Sequence, residues 1–93
     1  MGGCAGSGVK TADAVVQVGR CSLQGIKATN VSGSTFTVQV YDSATATTSG
    51  KVEIARMVLA ANGSLEYDMH GRMCAEGLYV DITGSGTYSL EWV

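Results

Sequence analysis

Few residues in this 93-residue chain could do chemistry: one histidine (His70), three cysteines (Cys4, Cys21 and Cys74) and eight carboxylates. His70 lies in Tyr67-Asp68-Met69-His70-Gly71, so at a spacing of two it shares a strand face with Asp68 and can pair with it. Adding Asp81 gives the one candidate metal set. A structural or catalytic zinc needs further ligands, and no two cysteines form a C-x-x-C pair. No metal and no cofactor are expected. A Ser-His-Asp triad needs a strained nucleophile turn of the Gly-x-Ser-x-Gly kind. Gly84-Ser85-Gly86 is shorter than that and leads into another strand. No two carboxylates flank aromatics as glycoside hydrolysis would require. The glycines of Gly3-Cys4-Ala5-Gly6-Ser7-Gly8-Val9-Lys10-Thr11 imitate a phosphate-binding loop, but Val9 puts Lys10 out of register and no strand precedes them. No catalytic residue is assigned, and the chain is expected not to be an enzyme.

An odd number of cysteines at wide spacing argues against a disulfide framework. Cys21 and Cys74 sit beside apolar strand residues and are expected as buried, reduced thiols. A bridge between them is the alternative. Two sequons, Asn30-Val31-Ser32 and Asn62-Gly63-Ser64, are short enough to arise by chance.

The residues that must position anything else repeat with a period of two, as half-buried strands do. Phe36, Val38 and Val40 alternate with Thr37, Gln39 and Tyr41. Leu78, Val80 and Ile82 alternate with Tyr79, Asp81 and Thr83, and Tyr88, Leu90 and Trp92 with Thr87, Ser89 and Glu91. Leu65, Tyr67 and Met69, then Val52 and Ile54, follow the same rule, and Ala14 to Val18 and Cys21 to Thr29 complete the set. Gly25 inside the last of these predicts a bulge or bend. Val52 to Ala61 has partial helical spacing as an alternative. Asn62-Gly63 between apolar runs predicts a type I′ hairpin. Gly84-Ser85-Gly86 predicts a tight loop between the last two strands, and Asn30 to Gly33 another turn. The longer Ser43–Gly50 loop is expected to cross between sheets. The sum is an all-β, single-domain antiparallel β-sandwich, or a jelly-roll-like or β-prism-like barrel, of seven to eight short strands. It spans residues 1–93, with 1–10 as a flexible Gly-rich leader.

Tyr88 and Trp92 share the apolar face of Leu90 and belong to the core. Tyr41 and Tyr79 fall on the polar faces of their strands and are the candidate contacts with a partner. Net charge is −2, and the six basic residues are scattered, so no basic stripe for nucleic acid forms. No apolar run approaches the ~20 residues of a membrane span. The amino terminus lacks the basic start and apolar stretch of a secretory signal. Charged residues are only 15% of the chain, and Pro is absent. A weakly charged sheet surface with unblocked edges predicts self-association.

Asn30-Val31-Ser32-Gly33, the strand Thr37 to Asp42, Leu59 to Ser64, and the strand pair Gly77 to Thr87 together resemble small β-sandwich proteins of tailed-bacteriophage virions, including decoration-like structural proteins. The resemblance spans roughly residues 25–93 and rests on turn and strand chemistry, so no functional residue is carried over. It implies a non-enzymatic virion protein, made in the host cytoplasm, that forms a homo-oligomer (a trimer before a dimer) and contacts other virion proteins of a capsid or tail. The other function class is a carbohydrate- or cell-surface-binding, adhesin-like module using Tyr41, Tyr79 or the Ser43–Gly50 loop.

Overall fold

A computed structural model describes residues 5–93. Cys4 therefore lies outside the described residues, as does the start of the glycine-rich stretch. Eight strands follow in order: β1 (Ala5–Gly6), β2 (Ala14–Val18), β3 (Cys21–Thr29), β4 (Phe36–Asp42), β5 (Val52–Leu59), β6 (Ser64–Cys74), β7 (Gly77–Thr83) and β8 (Thr87–Trp92). The period of two places Phe36, Val38, Val40, Leu78, Val80, Tyr88 and Leu90 inside, each at most 1% exposed. Val52 to Leu59 is strand and not helix: Met57 and Leu59 are buried while Arg56 and Val58 face solvent, an alternation a helix cannot produce. Each fully buried aliphatic or aromatic side chain contributes about 1.5–3 kcal/mol, and this core supplies most of the drive to fold.

The strands form two four-stranded sheets, β1-β8-β3-β6 (sheet A) and β2-β7-β4-β5 (sheet B). Every contact between neighbours is antiparallel. Strand 1 lies beside 8, 2 beside 7, 3 beside 6 and 4 beside 5, as if one long hairpin had been rolled up. That is the order of a jelly roll. Only β4 and β5 are consecutive in the chain and adjacent in one sheet.

This topology reverses the expected roles of the loops. Asn62-Gly63 does not close a hairpin; it carries the chain from β5 in sheet B to β6 in sheet A. Gly84–Gly86 and Asn30–Gly33 are likewise crossings between sheets, whereas the Ser43–Gly50 loop closes the β4–β5 hairpin. The backbone gives the reason at Asn62. Its φ is 57°, but Gly63 is not left-handed, so the pair of positive φ angles that a type I′ hairpin requires is missing. The Gly63 N–H instead donates to Ala60 O at 3.0 Å. At Gly86 the chain passes so close to its neighbours that a Cβ would stand 2.5 Å from the Phe36 ring and 2.6 Å from Thr29 O.

Gly25 lies at a bulge, as its position predicts: the register of β3 shifts between Leu23 and Gly25 against both β6 and β8. Opposite it, β6 swells at Met69–Gly71, where His70 (φ 52°) and Gly71 (φ 77°) are both left-handed. Residues 5–10, within the stretch expected as a leader, run along β8. Ser7 N–H donates to Leu90 O at 3.0 Å, and Lys10 and Tyr88 exchange backbone bonds of 2.8 and 3.0 Å. The Tyr88 hydroxyl donates to Ala12 O at 2.6 Å.

Asn30 is 1% exposed and pins one end of the sandwich. Its amide donates to Ser34 O (2.6 Å), Leu59 O (3.2 Å) and Ala60 O (3.0 Å), and its Oδ1 accepts from Ser32 N–H (2.9 Å) and Ser32 Oγ (2.8 Å). At the opposite end Asp42 accepts the N–H groups of Ala75 (2.9 Å), Glu76 (2.8 Å) and Gly77 (3.2 Å). Replacing Asn30 by Ala leaves the buried Leu59 carbonyl without this donor, at a cost of about 1–3 kcal/mol, and removes the part-buried bonds to Ser34 O and Ala60 O. The expected outcome for Asn30→Ala is a loss of about 2–3 kcal/mol in urea unfolding, with no change in the far-ultraviolet sheet signal of the protein that remains folded.

Candidate interaction surface

Tyr41 and Tyr79 are brought together. They are directly opposite across β4 and β7, on the outward face of sheet B. Val15 of β2 flanks Tyr79 on one side of this row, and Glu53 of β5 flanks Tyr41 on the other. The next row holds Asp81, Gln39 and Arg56, and the one after it Thr83, Thr37 and Val58. The two tyrosines differ in access: Tyr79 is 7% exposed, while Tyr41 is half-buried.

The polar groups around them are tied to one another. Gln39 Nε2 donates to the Tyr41 hydroxyl at 3.0 Å and to Glu53 Oε2 at 2.6 Å. Arg56 donates to the same carboxylate oxygen through Nε at 3.3 Å and Nη2 at 3.2 Å. The bond from Gln39, assisted by Arg56, holds Glu53 below the usual carboxylate range. Asp81 moves the other way, raised first by burial and then by the charge and hydrogen bond of Asp13 beside it. Asp13 in turn accepts the Ile82 N–H at 2.8 Å. Burial raises both phenols; Glu53 and Asp81 add to this at Tyr41, and Asp13 and Asp81 at Tyr79. The result is a flat aromatic and amide surface with fixed hydrogen bonds, edged by the exposed side chains of Val15, Val18 and Val58. It has no nucleophile with a neighbouring base.

The outward face of sheet A is different. The missing side chain at Gly25 leaves a shallow, open depression of about 520 Å³ rimmed by Gln24, Glu66, Tyr67, Asp68 and Glu91. Lys27 lies 3.8 Å from Glu66, an exposed pair of little energetic weight. Asp68 does pair with His70, accepting its backbone N–H at 2.9 Å with Nδ1 at 3.5 Å. Asp81 faces outward from the opposite sheet, so the three residues of the candidate metal set are not assembled. Among the described residues, no group of three or more His, Cys, Asp or Glu side chains is placed to hold a metal ion. Of the two sequon asparagines, Asn30 is buried and engaged, and Asn62 is exposed.

The sequence placed Tyr41 and Tyr79 on the polar faces of their strands, and the structure adds Asp13, Gln39, Glu53 and Arg56 around them. Gln39 and Asp81 share the face of Tyr41 and Tyr79 by the period of two, which is the signal that could have found them. Asp13 and Arg56 depend on the register of other strands. Compared with protein-family models, with curated proteins and with solved structures, the chain matches none.

The opposed shifts of Glu53 and Asp81 have a measurable consequence. A carboxyl raised in the fold opposes folding once ionised, and that opposition vanishes when pH falls below both its folded and unfolded values. Asp81→Asn is expected to stabilise the protein at pH 7 by less than about 1 kcal/mol, the ceiling for exposed charge pairs. Urea unfolding repeated near pH 3, where the wild-type carboxyl is protonated, should show the advantage gone.

Proposed function

We propose that the chain is a non-enzymatic structural protein of a virion, of the tailed-phage kind, which assembles with copies of itself and seats on a capsid or tail surface through the outward face of sheet B. One observation carries this reading: the Val15–Tyr79–Tyr41 row, flanked by Val18 and Val58, forms a partly apolar surface on a flat body measuring 39 × 31 × 18 Å. A face of those dimensions can offer the ~800 Å² per partner that specific interfaces bury. Several features support the reading. Jelly rolls recur in viral capsid and lectin domains, although a fold alone does not determine a function. Edge strands β2 and β5 bound this same sheet, and the chain has no proline with which to block them. The sequence resemblance over residues 25–93 points the same way and favours three-fold closure, which needs two different patches on each subunit. Val18 on β2 and Val58 on β5 lie at opposite edges and meet that requirement.

The bonded group of Tyr41, Gln39 and Glu53 favours a second reading, a saccharide-binding surface. Stacking on a sugar needs an accessible ring face. The near-complete burial of Tyr79 leaves only Tyr41 for that role, which makes this reading the weaker. A glycan array that binds the wild-type chain and not Tyr41→Ala would reverse the ranking.

The self-assembly reading is tested by sedimentation equilibrium at micromolar concentration. The expected mass is that of three chains of 9.6 kDa, with two as the next possibility. Val18→Lys and Val58→Lys alter exposed side chains, so both should leave the sheet signal intact and lower the mass towards one chain. A wild-type mass of one chain that does not rise with concentration overturns the proposal.

A further inference from the structure

Cys21 and Cys74 are free thiols, 4% and 0% exposed, and they are directly opposite one another across β3 and β6. The chain keeps them 53 positions apart, and the fold makes them nearest neighbours. Their spacing follows from the hydrogen-bond pattern. Ser22 and Val93 exchange two backbone bonds of 2.9 Å, so the N–H and C=O of Ser22 point towards the end of β8. One residue away, those of Cys21 point to β6. Cys21 and Cys74 thus occupy a hydrogen-bonded antiparallel site, where the Cα atoms stand about 5.5 Å apart. That is the middle of the range a disulfide spans, about 4.4–6.8 Å. Both side chains belong to the same buried core cluster, and the Cys74 thiol donates to Arg72 O at 3.7 Å.

We infer that Cys21 and Cys74 are a dithiol site that a small-molecule disulfide of the glutathione class converts, within the folded sandwich, to a cross-strand disulfide. In the first step the thiolate of one cysteine attacks a sulfur of the reagent, forming a mixed disulfide and releasing one reagent thiolate. The second cysteine then attacks the protein sulfur of that mixed disulfide, and the second reagent thiolate leaves. The two protons lost by the protein end on the two reagent thiols. The protein has lost two protons and two electrons, and the reagent has gained them.

The location gives the bond a purpose and sets its rate. β6 is an edge strand, paired on one side only. Its carboxyl end leads directly into the Ala75–Gly77 corner, where Asp42 holds three backbone N–H groups. A Cys21–Cys74 bond would fasten this free edge to the centre of sheet A. Burial pushes both thiols up, Cys74 to about 12, so the closed fold presents little of the reactive thiolate. Exchange therefore proceeds through local opening of the end of β6, and the dithiol survives in a reducing compartment. The stapled form belongs to an oxidising one. The inference is independent of self-assembly, since both thiols lie in one chain.

The test uses the full chain carrying Cys4→Ser, so that only two thiols remain, held in mildly alkaline buffer with glutathione disulfide. The expected product is a chain lighter by two hydrogens, covalently joined to no other chain and with no glutathione attached. Its tryptic peptides, residues 21–27 and 73–93, should be joined. Its thermal midpoint should rise by at least about 10 °C and return to the starting value with dithiothreitol, as expected for a bond closing a loop of this length. Cys74→Ala in the same background should show no such rise. Peptide mapping of oxidised wild-type chain should give the same joined pair, which guards against any effect of the Cys4 substitution. A stable glutathione adduct on either cysteine, bonds between chains, or a joined form with a lower midpoint would each overturn the inference.

Discussion

Where β3 leaves sheet A for β4 in sheet B, the chain must turn with its backbone polar groups drawn into the interior. The Asn30 side chain resolves this. Its amide supplies donors to carbonyls from two different connections, the one after β3 and the one between β5 and β6, while its Oδ1 accepts from Ser32. Its own N–H donates to Gly63 O at 2.8 Å, binding the second connection again. A buried polar group left unpaired costs more than a paired one contributes. The two crossings are therefore stable only in each other's presence, and the facing of the two sheets follows. Phe36 and Gly86, packed together at this end, depend on the same closure.

This dependence explains what was legible in the sequence and what was not. The strands were legible because burial of one face imposes a period of two on side-chain type, whatever the order of strands. Gly25 was legible because a residue without a side chain inside a strand has few other uses. The role of each connection was not legible. A turn signal such as Asn62-Gly63 specifies a reversal of the backbone, and in a jelly roll that reversal takes the chain into the other sheet. The four-residue turn with one left-handed residue and the two-residue hairpin use the same residue types. Asn30 looked like part of an ordinary turn, because its work is done on Leu59 and Ala60 some thirty residues away. The approach of Asp13 to Asp81 lay beyond reach for the same reason, and the sequence offered a Cys21–Cys74 pairing only as the alternative to two separate buried thiols, because register between strands distant in the chain sets both.

The two outward faces have diverged accordingly. On sheet A the bulge at Gly25 and its partner at His70 interrupt the surface, and the carboxylates of Glu66, Asp68 and Glu91 surround the gap. Concentrated negative charge and an irregular edge keep other strands from adding there. On sheet B the charges stand among Tyr41, Tyr79 and exposed valines, and Glu53 is already engaged by Gln39 and Arg56. The side with the tied polar groups and exposed valines is the one a partner can cover at least cost in desolvation.

The two ends of the sandwich also differ in kind. The Asn30 end is held by neutral hydrogen bonds, which do not change with pH. The Asp42 end is held by a carboxylate. Burial acts to raise its pKa, and the three backbone donors, with Arg72 beyond them, outweigh that and leave it below the ordinary value. A carboxyl lowered in the fold contributes stability in full above its unfolded pKa of about 3.9, and this contribution declines as pH falls towards the folded value. Acid therefore loosens the Ala75–Gly77 corner while the Asn30 corner stays closed. The buried Cys21–Cys74 pair adjoins this corner, so the end of the molecule whose hydrogen bonds weaken in acid is also the one where the proposed covalent link would form.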